Sequence, residues 1–159
     1  GKIDRIDTGK SIFRIVDYKI NSSPKPEEID MGVSLQLPVY LYAAEKMFRK
    51  EKMEGVAGVY YILTPKVREK LGIGNQTYLN EVFTANQRTP GLCSYREELQ
   101  KVIQKTLAYV EEYVDKISRG EFPVVPKFPK NSCQWCDHKT ICRIRSKSVL
   151  SRAPVQEEI

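Results

Sequence analysis

The sequence predicts an α/β fold, a central mixed β-sheet flanked by helices and followed by a C-terminal segment that cysteines, not apolar packing, hold together. Three observations carry this expectation. Residues 2–7 and 11–20 are extended runs on either side of Thr8-Gly9-Lys10, and two later stretches repeat apolar residues at three- and four-residue spacing. Residues 121–159 hold Pro123, Pro126 and Pro129, then three cysteines, with little periodicity.

In chain order, the two runs around Thr8-Gly9-Lys10 read as a β-hairpin. Residues 21–30 are polar, contain Pro24 and Pro26, and are expected to form a loop. From residue 34 to about 50, Leu37, Leu41, Ala44, Met47 and Phe48 mark one helical face. Pro38 lacks an N–H, so this helix starts late or bends in its first turn. Residues 56–63, Val-Ala-Gly-Val-Tyr-Tyr-Ile-Leu, are short, β-branched and aromatic, which suits a buried strand. Residues 65–92 carry Gly72, Gly74, Asn75, Pro90 and Gly91 without sustained periodicity, and are expected to be loop with one short helix. Ser94-Tyr95-Arg96-Glu97 fits a capping box. Behind it Leu99, Val102, Ile103, Leu107, Val110, Val114 and Ile117 line one face of a helix ending near Gly120.

Composition limits the function classes. The 159 residues make about one domain, and 41% hydrophobic content is enough for a core. No apolar run approaches the ~20 residues that span a bilayer, and Gly1-Lys2-Ile3-Asp4-Arg5 has no apolar signal region. No membrane association and an intracellular, cytoplasmic setting are therefore the default expectation. The chain starts on strand-like residues without Met, as an excised piece would. Its net charge of +6 lies mostly after Glu121, where Lys127, Lys130, Lys139, Arg143, Arg145, Lys147 and Arg152 face only Glu121 and Asp137. Such a segment can neutralise nucleic-acid phosphates or simply be a solvated tail.

Two constellations carry chemistry. In the second run, alternation puts Ile15, Asp17 and Lys19 on one face, so an acid and a lysine project together from an apolar strand. Asp4, on the hairpin partner, shares that face in one register and leaves it after a one-residue slip. Two carboxylates with water and a phosphate oxygen form a normal Mg²⁺ site, and the lysine can stabilise charge developing on the phosphate. An edge-strand salt bridge would look the same, and a second Asp-x-Lys at Asp137-His138-Lys139 shows how little that spacing means alone. Gln36 and Tyr40, four apart on one helical face, read alone as a polar stripe. The other constellation is Cys133-x2-Cys136-x5-Cys142, whose thiolates can surround one metal centre, with zinc completed by His138 as a competitor to iron and sulfur.

Taken in order, Gly1-Lys2-Ile3-Asp4-Arg5-Ile6-Asp7, Arg14-Ile15-Val16-Asp17-Tyr18-Lys19 and Gln36-Leu37-Pro38-Val39-Tyr40 resemble the G-x-x-D-R-x-D, D-Y-K and Q-x-x-x-Y motifs of the RecB-type branch of the PD-(D/E)XK nucleases. The cysteine segment resembles the iron–sulfur staple of AddB-type helicase-nuclease subunits and of RecB-like nucleases associated with CRISPR. The resemblance implies a restriction-endonuclease-like core and a Mg²⁺- or Mn²⁺-dependent deoxyribonuclease. Asp4 and Asp17 would hold the ion, Lys19 would assist attack by water, and Gln36 and Tyr40 would position the strand. It implies a [4Fe-4S] cluster on Cys133, Cys136 and Cys142 with a fourth cysteine upstream, a role that Cys93 does not match. The family's upstream helix, which brings a His or Glu to the metal, is likewise not in this sequence. The organisation expected is a partial nuclease core over 1–120, a cysteine-rich staple over 121–145 and a tail over 146–159. Expected partners are DNA, the remainder of the same polypeptide and a helicase-nuclease partner subunit, in exonucleolytic end processing for double-strand-break repair. The competing reading from another class is a non-catalytic DNA-binding module stapled by a metal; a CRISPR-associated nuclease shares the same motifs.

Overall fold

Gly9 turns the chain: its N–H donates to Ile12 O at 2.8 Å, closing the hairpin between β1 (Arg5–Thr8) and β2 (Ile12–Lys19). The computed structural model describes residues 1–78, 81, 92–123, 133, 136–138, 141 and 142, with the backbone alone for 92–94. The chain divides into two compact units, 1–114 and 115–159.

In the first unit, β2 is followed by α1 (Pro26–Asp30) and α2 (Gln36–Met47), then by β3 (Glu54–Ile62) and β4 (Arg68–Asn75). A short 3-10 turn, Gln76–Tyr78, β5 (Leu92–Ser94) and α3 (Arg96–Ser118) complete the described elements. Among the described residues the sheet has five strands in the order β1-β2-β3-β4-β5. It is mixed: β1–β2 and β3–β4 are antiparallel, whereas β2–β3 and β4–β5 are parallel. A parallel pair needs a long crossover, and α1 and α2 provide it between β2 and β3.

The two sheet faces follow the period-two alternation of β2. Phe13 and Ile15 point into the main core with Leu37, Leu41 and Ala44 of α2, Tyr60 and Ile62 of β3, and Leu99 and Ile103 of α3. Val16 joins Ala57, Val59 and Leu71 in a smaller cluster. On this second face Arg14 ties three strands together. Its guanidinium donates to Asp7 Oδ2 at 2.8 Å and to Glu69 at 3.0 and 3.1 Å. Burial works against the charged form of Asp7, but the hydrogen bonds from Arg5 and Arg14 outweigh it and hold this carboxyl below its ordinary value.

Pro38 stands in the first turn of α2, where an N–H would lack an intrahelical partner, so the helix begins at Gln36 without interruption. Residues 26–30, expected as loop, form α1, with Glu28 accepting from the Lys25 N–H at 2.8 Å. Residues 68–75, expected as loop, are β4, and Cys93 stands on β5. Ser94 is a strand residue; the first bond of α3 runs from Leu99 N–H to Tyr95 O at 2.9 Å, so the helix starts one residue later than a Ser94 cap requires. The apolar face of α3 is also shorter in effect than its sequence suggests, since Leu99 and Ile103 are buried while Val114 and Ile117 are exposed. α1 is anchored to α3 by Lys105–Asp30 at 2.6 Å and by Tyr113, whose hydroxyl donates to Gly32 O at 3.0 Å.

In the second unit, Arg119 pairs with Asp115, and the Ile141 and Cys142 N–H groups both donate to His138 O. The basic residues Lys127, Lys130, Lys139, Arg143, Arg145, Lys147 and Arg152 lie outside the described residues, as does the expected boundary at 145 and 146. Among the described residues no helix is long and apolar enough to cross a membrane.

Candidate active site

The strand alternation that sends Phe13 and Ile15 into the core carries Asp17 and Lys19 onto the same face, at the end of β2 where apolar residues give out. Asp17 is only 2% exposed. A carboxylate so far out of water needs polar partners, and Gln36 in the first turn of α2 is one of them. Its amide Nε2 donates to Asp17 Oδ1 at 2.6 Å, and its Oε1 accepts from Lys19 Nζ at 3.0 Å. The Lys19 ammonium stands 2.8 Å from Asp17 Oδ2. That approach is an ion pair without hydrogen-bond alignment, so Oδ2 is a buried acceptor with no hydrogen bond. Tyr40, one turn along α2, brings its hydroxyl to 3.4 Å from Gln36 Nε2.

Asp4 enters from the hairpin partner. The β1–β2 register pairs Arg5 with Val16 and Ile6 with Ile15, and its extension by one residue sets Asp4 opposite Asp17. Ile6 packs against the main core, so residue 4 belongs to the face that carries Asp17. The Asp4 carboxylate accepts the Tyr18 N–H at 3.1 Å, which ties it to the exposed edge of β2. The five residues expected to act together, Asp4, Asp17, Lys19, Gln36 and Tyr40, thus meet at one end of the sheet.

Tyr60 is a further member that the motifs do not contain. It pairs with Asp17 across the parallel β2–β3 ladder, is fully buried, and places its ring under Lys19, with Nζ 5.8 Å from the ring centroid. Burial pushes its phenol up to about 12, against an opposing effect of Ser34, and no group meets its hydroxyl with hydrogen-bond geometry. The signal in the sequence is only the alternation within Val59-Tyr60-Tyr61-Ile62; the neighbour of Tyr60 depends on a crossover that no local pattern reveals.

The donor chemistry suits a small divalent cation. Two carboxylates on adjoining strands, one with a buried oxygen that lacks a hydrogen-bond donor, match Mg²⁺ or Mn²⁺, which keep several waters and take few protein ligands. Among the described residues no group of three or more His, Cys, Asp or Glu side chains converges as a metal site. This includes Cys133, Cys136 and Cys142, which are free, half-buried thiols. A cleft of about 520 Å³, lined among others by Ser11, Arg49 and Tyr78, opens at the opposite end of β2 and β3. Its acids are already engaged, Glu54 with Arg96 at 2.5 Å and Glu45 with the Gly55 N–H at 3.3 Å, so the chemistry belongs with Asp17 and not with the larger hollow.

A mixed sheet with an acid and a lysine two residues apart at the end of its second strand defines a class of phosphodiester-cutting fold, and the sequence comparison names it. The chain belongs to the PD-(D/E)XK nuclease superfamily, whose family model matches residues 1–143. It is also similar to a subunit of the ATP-dependent helicase/deoxyribonuclease of Carboxydothermus hydrogenoformans, with 26% identity over 193 aligned residues that include 92% of this chain. The chain spans 18% of the length of that relative.

Proposed function

We propose that this chain is the nuclease domain of a helicase-nuclease subunit of the AddB type and hydrolyses DNA phosphodiesters in a metal-dependent reaction. The observation that carries the reading is the Asp17–Gln36–Lys19 cluster. A buried carboxylate, oriented by an amide and paired with an ammonium, stands where the family motifs of this chain converge. Asp4 and Asp17 would hold Mg²⁺ or Mn²⁺, which supplies Lewis-acid polarisation of the phosphodiester and a lower pKa for attacking water.

The remaining work falls to the chain's own groups. Gln36 fixes the rotamer of Asp17 and, through its carbonyl, the place of the Lys19 ammonium. Lys19 is half-buried, so its charge acts in a lower dielectric than water and stabilises negative charge gathering on the phosphate oxygens. Tyr40 lines the same helical face and guides the strand.

The action proposed is exonucleolytic end processing in double-strand-break repair, in the cytoplasm, beside a helicase-nuclease partner subunit. This extends to the chain what the name of its relative says of that protein. Cys133, Cys136 and Cys142 would hold a [4Fe-4S] cluster, with a fourth ligand from elsewhere in the polypeptide; the three-thiol donor set supports it.

The test is Mg²⁺-dependent cleavage of labelled single- and double-stranded DNA by the anaerobically purified full-length protein. Asp17→Ala and Lys19→Ala should abolish cleavage while DNA binding persists. Undiminished cleavage in both would exclude the mechanism, and a wild type that binds DNA but never cuts would favour a non-catalytic binding module.

A further inference from the structure

We propose that Tyr60 is a positioning residue for Lys19: its buried aromatic face is the platform that sets where the Lys19 ammonium stands. The inference rests on the nuclease reading and adds to it a residue that the motifs do not contain.

A lysine is a point charge on a flexible four-carbon stem. Gln36 Oε1 and Asp17 Oδ2 each attract its ammonium, but neither limits the path the stem takes to reach them. The Tyr60 ring does. It lies on the neighbouring strand beside Asp17, with its centroid 5.8 Å from Lys19 Nζ, within the range at which an aromatic face attracts a cation. The ammonium is thereby approached from three sides, by a carboxylate, an amide oxygen and a ring.

The platform is itself fixed. Tyr60 is fully buried, and β4 has no side chain where it passes the ring. A Cβ on Gly72 would fall 2.8 Å from Tyr60 Cε2 and 2.4 Å from Leu37 Cδ1, far inside van der Waals contact. The glycine therefore makes room for the ring and for the α2 residue that follows Gln36. One site on β4 thus sets both the ring under Lys19 and the packing of the helix turn that holds Asp17.

The role belongs to the ring and not to the phenol. The Tyr60 hydroxyl has no hydrogen-bond partner, so it cannot be what orders the site. An aliphatic side chain of equal bulk would fill the core but offer the ammonium no negative face.

The experiment is steady-state cleavage of labelled DNA with Mg²⁺ by the full-length protein, comparing wild type, Tyr60→Phe, Tyr60→Met and Lys19→Ala, with thermal unfolding of each. Tyr60→Phe should keep kcat within about twofold, because the π face remains. Tyr60→Met, flexible and similar in volume, should lower kcat roughly tenfold with KM unchanged, the size a lost cation–π contact allows. An unchanged kcat in Tyr60→Met, with Lys19→Ala inactive, overturns the inference alone; undiminished cleavage in Lys19→Ala overturns the nuclease mechanism beneath it. Equal loss in Tyr60→Phe and Tyr60→Met would assign the effect to the hydroxyl and also overturn it. Should Tyr60→Met fail to fold, Gly72→Ala, whose new Cβ displaces the ring edge, is read in its place: lowered kcat at constant KM supports the platform, and an unchanged kcat overturns it.

Discussion

Gln36 Nε2 lies 2.6 Å from Asp17 Oδ1, so an amide on the first turn of α2 orients a carboxylate on the neighbouring strand β2. Removing the amide leaves that oxygen in a site where Asp17 is 2% exposed. Gln36→Leu should therefore destabilise the domain by about 1–3 kcal/mol, the cost of an unsatisfied buried acceptor. It should also slow DNA cleavage on the order of tenfold to a hundredfold through misplacement of Asp17 and Lys19. Urea unfolding and a cleavage assay on the same preparation measure both; a variant unchanged in either would show that Asp17 is held by Lys19 alone.

Asp7 lies on the far face of the sheet, bonded by Arg14 at 2.8 Å and Arg5 at 2.6 Å. Its folded-state pKa is depressed, because those bonds outweigh burial. A depressed carboxyl contributes stability above its unfolded value of about 3.9, and the contribution disappears as pH falls below that value towards the folded one. Asp7 is 29% exposed, so screening limits the effect, and Asp7→Asn should cost about 0.5–1 kcal/mol near neutral pH. The gap between wild type and variant should close as unfolding is repeated below about pH 4. A gap independent of pH would remove the electrostatic explanation.

The buried Tyr60 hydroxyl has no hydrogen-bond partner. Tyr60→Phe should therefore raise stability, by about 1 kcal/mol. The phenol, held up to about 12 against an ordinary 10.0, keeps its proton longer folded than unfolded, so its contribution is lost as pH rises from 10 towards 12. Phe lacks that loss, and the advantage of the variant should widen in alkali. Denaturant titrations at neutral and alkaline pH decide it, and a less stable Phe variant would point to a partner for the hydroxyl.

Gly32 holds φ at +67°, and a Cβ there would meet the Tyr109 ring at 2.4 Å. Both the left-handed backbone and the close ring exclude a side chain. Gly32→Ala should destabilise by about 1–3 kcal/mol, read as a lowered unfolding midpoint, without changing the cation dependence of cleavage. A shift in that dependence would connect the α1–α3 junction to the site.

Serine in place of Cys133, Cys136 or Cys142 should strip the full-length protein of iron and of its visible thiolate-to-iron absorbance. Elemental analysis that finds zinc and no iron in the wild type would replace the cluster with the alternative in which His138 completes the site.

How much of this was legible follows from which contacts are local. The hairpin turn at Gly9, the start of α2 at Gln36 and the strand around Val59 depend on neighbours within a few residues, and periodicity shows them. The strand Arg68–Asn75 was not legible, because Gly72 and Gly74 read as loop residues until Leu37 and the Tyr60 ring are seen against Gly72. The face of α3 was overread at its end: Val114 and Ile117 keep the helical period yet remain exposed, since periodicity states which residues share a face and not what covers it.

The sequence by itself determined the chemical inventory, the order of the acid, lysine, glutamine and tyrosine motifs, and their placement on a strand and a helix. Chain-local rules suffice there, because alternation aligns Asp17 with Lys19 and one helical turn aligns Gln36 with Tyr40. Tertiary structure alone decided the register that sets Asp4 opposite Asp17, the docking of α2 that brings Gln36 within 2.6 Å of that carboxylate, and the parallel pairing that slides Tyr60 beneath Lys19. Each of these is a contact between segments far apart in sequence, fixed by how two apolar faces pack, and no local pattern encodes its geometry.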